Sequence, residues 1–324
     1  MFSQRLYHIL LFPLAIQAWW QPPAGTTWEI NLSGILQPPY PANTTALDGD
    51  LYANTNASTW TAVRSANYKT ICYFSAGSFE NWRPDAGEFN NATDIGAPLD
   101  GWNGEWWLNT NSPNVRRIML QRLDLAQKQG CDAVDPDNVD AYDNGGGGFN
   151  LTAADAVNYV KFLAAEAHER GMGAGLKNAE AIVPSVLKDV DFQVNEQCLQ
   201  YQECSSSRPF IDAGKPVFEI EYTKKNSDKP SEDSHSVQRI CTAPSRNGFS
   251  TLIKHMNLGP WGIACNITVA TNVNATTVSN ATNTASSSNS TVPVPVSGAA
   301  LIGGIYARTP ALAMLISSAW LCLH

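Results

Sequence analysis

Charge is scarce in this sequence, and positive charge is scarcest. Only 15% of its 324 residues are charged, and 21 Lys and Arg face 29 Asp and Glu. That balance gives no footing for a nucleic-acid backbone, which needs clustered cations. It suits a cationic ligand, although acidity also serves solubility. Histidines number five, none at zinc-ligand spacing from a cysteine, so no metal site is expected. There is no Gly-x-Ser-x-Gly elbow, and the flexible-looking Gly145–Gly148 run lacks the Lys-Ser/Thr sequel of a phosphate loop. Neither a serine-hydrolase triad nor a nucleotide cofactor has its signature here, and no cofactor is expected.

Both ends read as processing signals. Residues 1–18 carry Arg5, an apolar run from Ile9 to Ile16 and Ala18 at a cleavable junction, the pattern of a secretory leader. Residues 298–324 follow small residues at Ser297-Gly298-Ala299 and end in the apolar stretch Ala311–Leu323. That is the pattern of a GPI-anchor signal whose tail is removed. A retained membrane helix is the rival reading; Arg308 in mid-bilayer and Pro310 within a helix count against it. Taking Arg5 and Arg308 from the 21 bases leaves 19 against 29 acids, a mature net charge near −10.

Residues 266–297 are almost all Thr, Ser, Asn, Ala, Val and Pro, without charge. Such a stretch cannot bury a core and reads as a disordered, glycosylated Ser/Thr/Asn-rich stalk. Residues 19–265 remain as one folded domain. The protein is therefore expected to be secreted and held at the outer face of the plasma membrane or cell wall. Its membrane contact would run only through the lipid anchor, and it is expected to be a monomer.

Seven cysteines become six once Cys322 leaves with the tail: Cys72, Cys131, Cys198, Cys204, Cys241 and Cys265. An even count in a secreted chain implies disulfides. The pairing stays open, with the short Cys198–Cys204 loop the first choice. Nine Asn-x-Ser/Thr sequons fit the same route.

Within the domain, strand-like and helix-like segments alternate. Strands are expected at Trp28–Leu32, Thr70–Phe74, Trp106–Asn109, Ala133–Asp137, Ala174–Lys177, Phe192–Glu196, Pro216–Tyr222 and Ser250–His255. Amphipathic stretches at Val115–Lys128, Ala153–Arg170 and Ile182–Lys188 supply crossovers. Eight strands with helical crossovers and no Gly-rich fingerprint favour an α/β fold of the (β/α)₈ TIM-barrel type over a doubly wound sheet.

In such a barrel the chemistry sits at the C-terminal ends of the strands. The fourth strand ends in Ala133-Val134-Asp135-Pro136-Asp137, and period two puts Ala133, Asp135 and Asp137 on one face. Stacked acids there are poor packing unless they meet water or a cation; a hydrated or calcium-binding turn is the bland alternative. The sixth strand ends in Phe192-Gln193-Val194-Asn195-Glu196, a carboxylate above an apolar row, which a helix cap would also explain. Between them, the fifth strand points Gly173, Gly175 and Lys177 one way. Its glycines leave room, and its lysine would project between the acids as a tuning cation or as a plain structural ion pair.

Glycoside hydrolysis asks for this kind of pair: one carboxyl to protonate the leaving oxygen, one to attack or to activate water. Asp137 is assigned the nucleophile and Glu196 the general acid/base, with Asp135 an open alternative for the first role and Lys177 in support. Retention is preferred over inversion. Tyr73, Trp82, Trp102, Trp106, Trp107 and Tyr142 lie near strand ends and could stack on sugar, though one of Trp106 and Trp107 is expected in the core. Tyr73, Asn138, Asn178, Trp102, Trp106 and Glu221 make up the expected sugar contacts.

Several segments resemble glycoside hydrolase family 114. They are Trp28-Glu29-Ile30-Asn31, Ile71-Cys72-Tyr73-Phe74-Ser75-Ala76-Gly77-Ser78, Gly130–Asp140, Gly175-Leu176-Lys177-Asn178, Val194-Asn195-Glu196-Gln197-Cys198 and Glu221-Tyr222. The resemblance spans about residues 25–260. It implies a (β/α)₈ barrel, endo-α-1,4-polygalactosaminidase activity, a cationic amino-sugar polysaccharide as partner, and catalytic roles at Asp137 and Glu196. A wall transglycosylase on the same barrel and a non-catalytic carbohydrate-binding surface protein are the competing expectations.

Overall fold

The computed structural model describes residues 19–222 and 234–265; the leader, stalk and anchor signal lie outside them. Twelve strands run in chain order: β1 (Trp28–Asn31), β2 (Ala46–Asp50), β3 (Lys69–Ser75), β4 (Ser78–Glu80), β5 (Ile95–Pro98), β6 (Glu105–Leu108), β7 (Ala133–Asp137), β8 (Gly173–Lys177), β9 (Phe192–Glu196), β10 (Val217–Tyr222), β11 (Ser250–Lys254) and β12 (Gly262–Ala264). Eight of them, in the order β1-β2-β3-β7-β8-β9-β10-β11, pair in parallel, and β12 adds antiparallel to β11. The sheet nearly closes on itself. Across the seam the Trp28 indole donates to Ser250 O at 2.7 Å, the Ser250 hydroxyl donates to Thr26 O at 2.7 Å, and Lys254 pairs with Glu29. This is a (β/α)₈ barrel.

The crossover helices start and stop where local chemistry dictates. α1 (Ala57–Ser65) is followed by α2 (Pro113–Gln129), which opens on Ser112 accepting from two first-turn amides and ends on left-handed Gly130. α3 (Ala153–Glu169) opens on a Thr152–Asp155 capping box. The later helices are short: α4 (Val183–Val186), α5 (Cys198–Tyr201), α6 (Arg208–Asp212) and α7 (Ser234–Cys241). Most of the core lies between strands and helices, around Trp60, Phe74, Ile118, Met119, Tyr159 and Phe210. A second cluster fills the lumen: Trp28, Ile30, Ile71, Phe192, Val194, Phe218, Ile220 and Leu252. Gly175 makes space for it, since a Cβ there would stand 2.5 Å from the Phe192 ring.

Two strand expectations need correcting. The Trp106–Asn109 segment is not a barrel stave: β6 pairs antiparallel with β4 and β5 in a separate three-stranded lobe. The missing stave is β2, Ala-Leu-Asp-Gly-Asp, which has neither β-branched residues nor an exposed polar face and so carries no strand signal. The strands bearing Asp137, Lys177 and Glu196 keep their fourth, fifth and sixth places. The glycine run is also not a free loop. Gly146 and Gly147 are buried, and Gly147 lies against Trp107, which forms a small core with Leu99, Ala141 and Leu151.

The six cysteines pair as Cys72–Cys131, Cys198–Cys204 and Cys241–Cys265. Cys198, Cys204 and Glu219 are the one metal-like cluster among the described residues, and its two sulfurs are already joined to each other. The Cys72–Cys131 bridge ties staves three and four across 59 residues of chain. Replacing both cysteines by alanine is expected to lower unfolding stability by about 4 kcal/mol, read from urea denaturation with reduction excluded. An unchanged midpoint would show that the bridge constrains nothing.

Candidate active site

The three adjacent staves β7, β8 and β9 each end in a charged residue, and after each the chain turns through a left-handed residue: Asn138 (φ 61°) after Asp137, Asn178 (φ 45°) after Lys177, Gln197 (φ 65°) after Glu196. Asparagine tolerates that backbone because its short amide bonds locally. Here Asn178 Oδ1 accepts from Glu196 N at 2.8 Å. The sharp turns carry the following chain away and leave each last side chain at the mouth. Gly77 allows the same closeness on the third stave. Its amide and that of Ala76 both donate to Asp137 O, at 3.0 and 2.9 Å, and a Cβ on it would stand 1.6 Å from Asn138 O.

Lys177 is 2% exposed, and its Nζ lies 3.5 Å from Asp137 Oδ2, 3.7 Å from Glu196 Oε2 and 3.9 Å from Asp135 Oδ2. Both mouth carboxylates are also held on their other sides. Tyr73 OH donates to Asp137 Oδ2 at 2.8 Å, and Asn138 N to Oδ1 at 2.7 Å. Tyr222 OH donates to Glu196 Oε1, and Asn178 Nδ2 to Oε2 at 3.3 Å. Side-chain exposures of 18% and 22% put Asp137 and Glu196 within reach of a ligand, while Asp135 has none.

The layer beneath is unusual in its acids. Asp48 and Asp135 are fully buried, and no side chain among the described residues hydrogen-bonds to either carboxyl. Burial pushes Asp135 up to about 7, opposed by Lys177 and reinforced by Asp137 and Glu196. Burial and repulsion from Asp135 hold Asp48 well above the usual carboxylate range. Lys177 moves the other way from what burial alone would do: Asp137, Glu196, Asp135 and Asp48 together hold its pKa above the ordinary lysine value. Burial, and then the carboxylates they serve, raise the Tyr73 and Tyr222 hydroxyls, which stay protonated donors.

Asp137, Glu196, Lys177, Tyr73, Asn138 and Asn178 thus converge at the mouth, with Asp135 one layer down. Glu221 does not join them. Phe218, Ile220 and Tyr222 point into the lumen, so strand alternation turns Glu221 outward, where it accepts from Leu199 N at 2.8 Å. The sugar-contact expectation for Glu221 is therefore corrected: it pins the turn after Glu196, and Tyr222 takes the mouth position. Trp106 is partly buried on β6, with its ring centroid 5.8 Å from that of Phe79, and Trp107 is core. Trp82 and Trp102 stand out of the three-stranded lobe, each 52% exposed. The sequence reading missed Asp48 and Tyr222. It also missed a buried set on the lobe side, Ser75, Ser78 and Glu105. Parity along β10 would have found Tyr222; the others carried no signal without β2 and the lobe.

A model of the glycoside-hydrolase family GH114 matches residues 12–270. The chain belongs to that family. Among solved structures it is similar to Aspergillus fumigatus Ega3 in complex with galactosamine, at 49% identity and a TM-score of 0.71, covering 76% of this chain and 98% of that one. The glycoside hydrolase domain of PelA from Pseudomonas aeruginosa shares the fold at 12% identity and a TM-score of 0.56, over 75% of this chain and 99% of that one. A comparison with curated proteins gives no match. As a GH114 member the chain is a glycoside hydrolase, and its charged cluster lies where a barrel of that class does its work.

Gly77→Ala tests how tightly the mouth is set. The new methyl has to displace the end of the fourth stave. We expect a folded protein, by circular dichroism, whose kcat falls by about 100-fold, since ångström shifts of a catalytic group cost that much. Near-wild-type turnover would show that the Gly77–Asn138 contact does not position the site.

Proposed function

We propose that this enzyme is an endo-acting hydrolase of α-1,4-linked galactosamine, as found in deacetylated stretches of a galactosaminogalactan-type exopolysaccharide. The supporting observation is one buried ammonium bridging two reachable carboxylates on the fourth and sixth staves. The galactosamine complex of Ega3 supports an amino sugar as the ligand. Since both oxygens lie within 3.7 Å of Lys177 Nζ, they are at most about 7 Å apart, a span that fits glycosidase pairs and leans toward the short gap of retaining enzymes.

In this reading Asp137 Oδ attacks the anomeric carbon while Glu196 gives its proton to the departing O4. The C1–O4 bond breaks and a glycosyl ester on Asp137 forms. Glu196, now a carboxylate, takes a proton from water; the hydroxide oxygen attacks C1 and expels Asp137, restoring both groups. Asp135 has no exposed surface, which favours Asp137 as nucleophile. Tyr73 and Lys177 lie on Oδ2 of the nucleophile and Asn138 N on its Oδ1, which together fix the orientation of the carboxylate. Tyr222 and Asn178 fix the acid. We further propose that the enzyme works outside the cell, carried there by the 1–18 leader and held by the lipid anchor that the 298–324 signal specifies, a reading that rests on their sequence patterns alone.

Asp137→Asn and Glu196→Gln are each expected to lower kcat on deacetylated galactosaminogalactan by about 10³-fold or more while staying folded. Azide should restore Asp137→Ala with a β-linked glycosyl azide and Glu196→Ala with the α-anomer. Wild-type enzyme should release short oligomers with α reducing ends, and none from chitosan or polygalacturonate. Full activity in either amide variant would remove the pair from the mechanism.

A further inference from the structure

A hydrogen-bond relay that the mechanism above does not use ties the mouth to the three-stranded lobe. Asn138 Nδ2 donates to Ser75 Oγ at 2.9 Å and to Ser78 Oγ at 3.4 Å. The two serine oxygens are 2.6 Å apart, and Ser78 Oγ donates to Glu105 Oε2 at 2.8 Å. Ser78 N also donates to Ser75 Oγ at 3.0 Å. Both serines are wholly buried and Glu105 is 8% exposed, so the relay is closed to bulk water.

Counting protons gives the relay a direction. Each hydroxyl has one proton and two lone pairs. An ionised Glu105 only accepts, so it takes the Ser78 proton. The 2.6 Å contact between the hydroxyls then requires the proton of Ser75. With that proton spent, Ser75 Oγ has only lone pairs to offer, one of them taken by Ser78 N. Asn138 must therefore turn its NH₂ inward and its carbonyl oxygen outward. A protonated Glu105 can donate instead. Ser78 would then give its proton to Ser75, and Ser75 would be free to donate to an amide oxygen, so Asn138 could flip.

We propose that Glu105 is a positioning residue for specificity: through Ser78 and Ser75 it holds the Asn138 carbonyl toward the sugar, where it selects a hydrogen-bond donor such as the ammonium of a deacetylated unit. This rests on the mouth being the sugar site, as argued above. The groups facing Glu105 put the relay near its turning point at neutral pH. Burial, Glu80 across the β4–β6 pair and Asp137 push it up to about 7, against Ser78 and Arg83. Arg83 is itself committed to Glu80 and Asp50, and Tyr73 also faces Glu105.

The test is KM and kcat against pH on a defined galactosamine oligomer, for wild type, Ser78→Ala, Glu105→Leu and the double variant. We expect wild-type KM to rise about tenfold as pH falls through about 7, the worth of one lost hydrogen bond. Protonation of the sugar amine would act in the opposite sense, by strengthening binding to an acidic site. Both single variants should show the high KM at every pH, with kcat within about threefold of wild type, and the double variant should add nothing further. Wild-type KM and an intact pH limb in folded variants would overturn the proposal. A readout that needs no variant is the wild-type preference for deacetylated over N-acetylated oligomers, which should fall below pH 7; a preference flat with pH also overturns it. Since kcat reports the Asp137/Glu196 pair and KM the relay, either claim can fail without the other.

Discussion

A lysine sealed inside a barrel lumen is the constraint from which this site follows. With 2% exposure, Lys177 cannot be neutralised by water, and an uncompensated buried charge costs several kcal/mol or more. Four carboxyls answer it, two below and two at the mouth. The deep pair, Asp48 and Asp135, are pushed toward their neutral forms by their own burial. That leaves Asp137 and Glu196, 3.5 and 3.7 Å from the Lys177 ammonium, as its partners at the mouth and sets these two side by side. One cation thus fixes the position of the pair, and the apolar lumen beneath, from Trp28 to Leu252, keeps the cluster from sinking.

Backbone geometry then determines what reaches solvent. Parallel staves deliver their last side chains to one rim, and left-handed residues after Asp137, Lys177 and Glu196 remove the chain that would cover them. The lobe formed by β4, β5 and β6 is not part of the barrel, yet it presses on the same rim through Gly77, Ser78 and Glu105. Barrel and lobe are therefore one machine at the mouth, which is where differences in substrate choice among such enzymes can be built.

How much of this was legible beforehand depended on whether one residue type carried the signal. Asp137, Lys177 and Glu196 were readable because acids and a lysine at the ends of apolar strands are costly unless they meet one another or a ligand. The stave Ala46–Asp50 was not, because a strand whose inward face is Ala, Asp, Asp has no apolar pattern until the barrel encloses it. The aromatic pair Trp106-Trp107 looked like a stave and belongs to the lobe, since antiparallel and parallel strands share the same propensities. Glu221 shows a subtler failure. The right segment was chosen with the wrong parity, and Tyr222, one residue on, holds the acid.

The most direct test of the account is to trap the intermediate. A 5-fluoro galactosaminyl fluoride, incubated with the enzyme and followed by proteolysis and mass spectrometry, should leave one sugar esterified to Asp137. Label on Asp135, or rapid turnover with inverted product and no covalent adduct, would contradict the arrangement of one lysine between an attacking and a proton-carrying carboxyl.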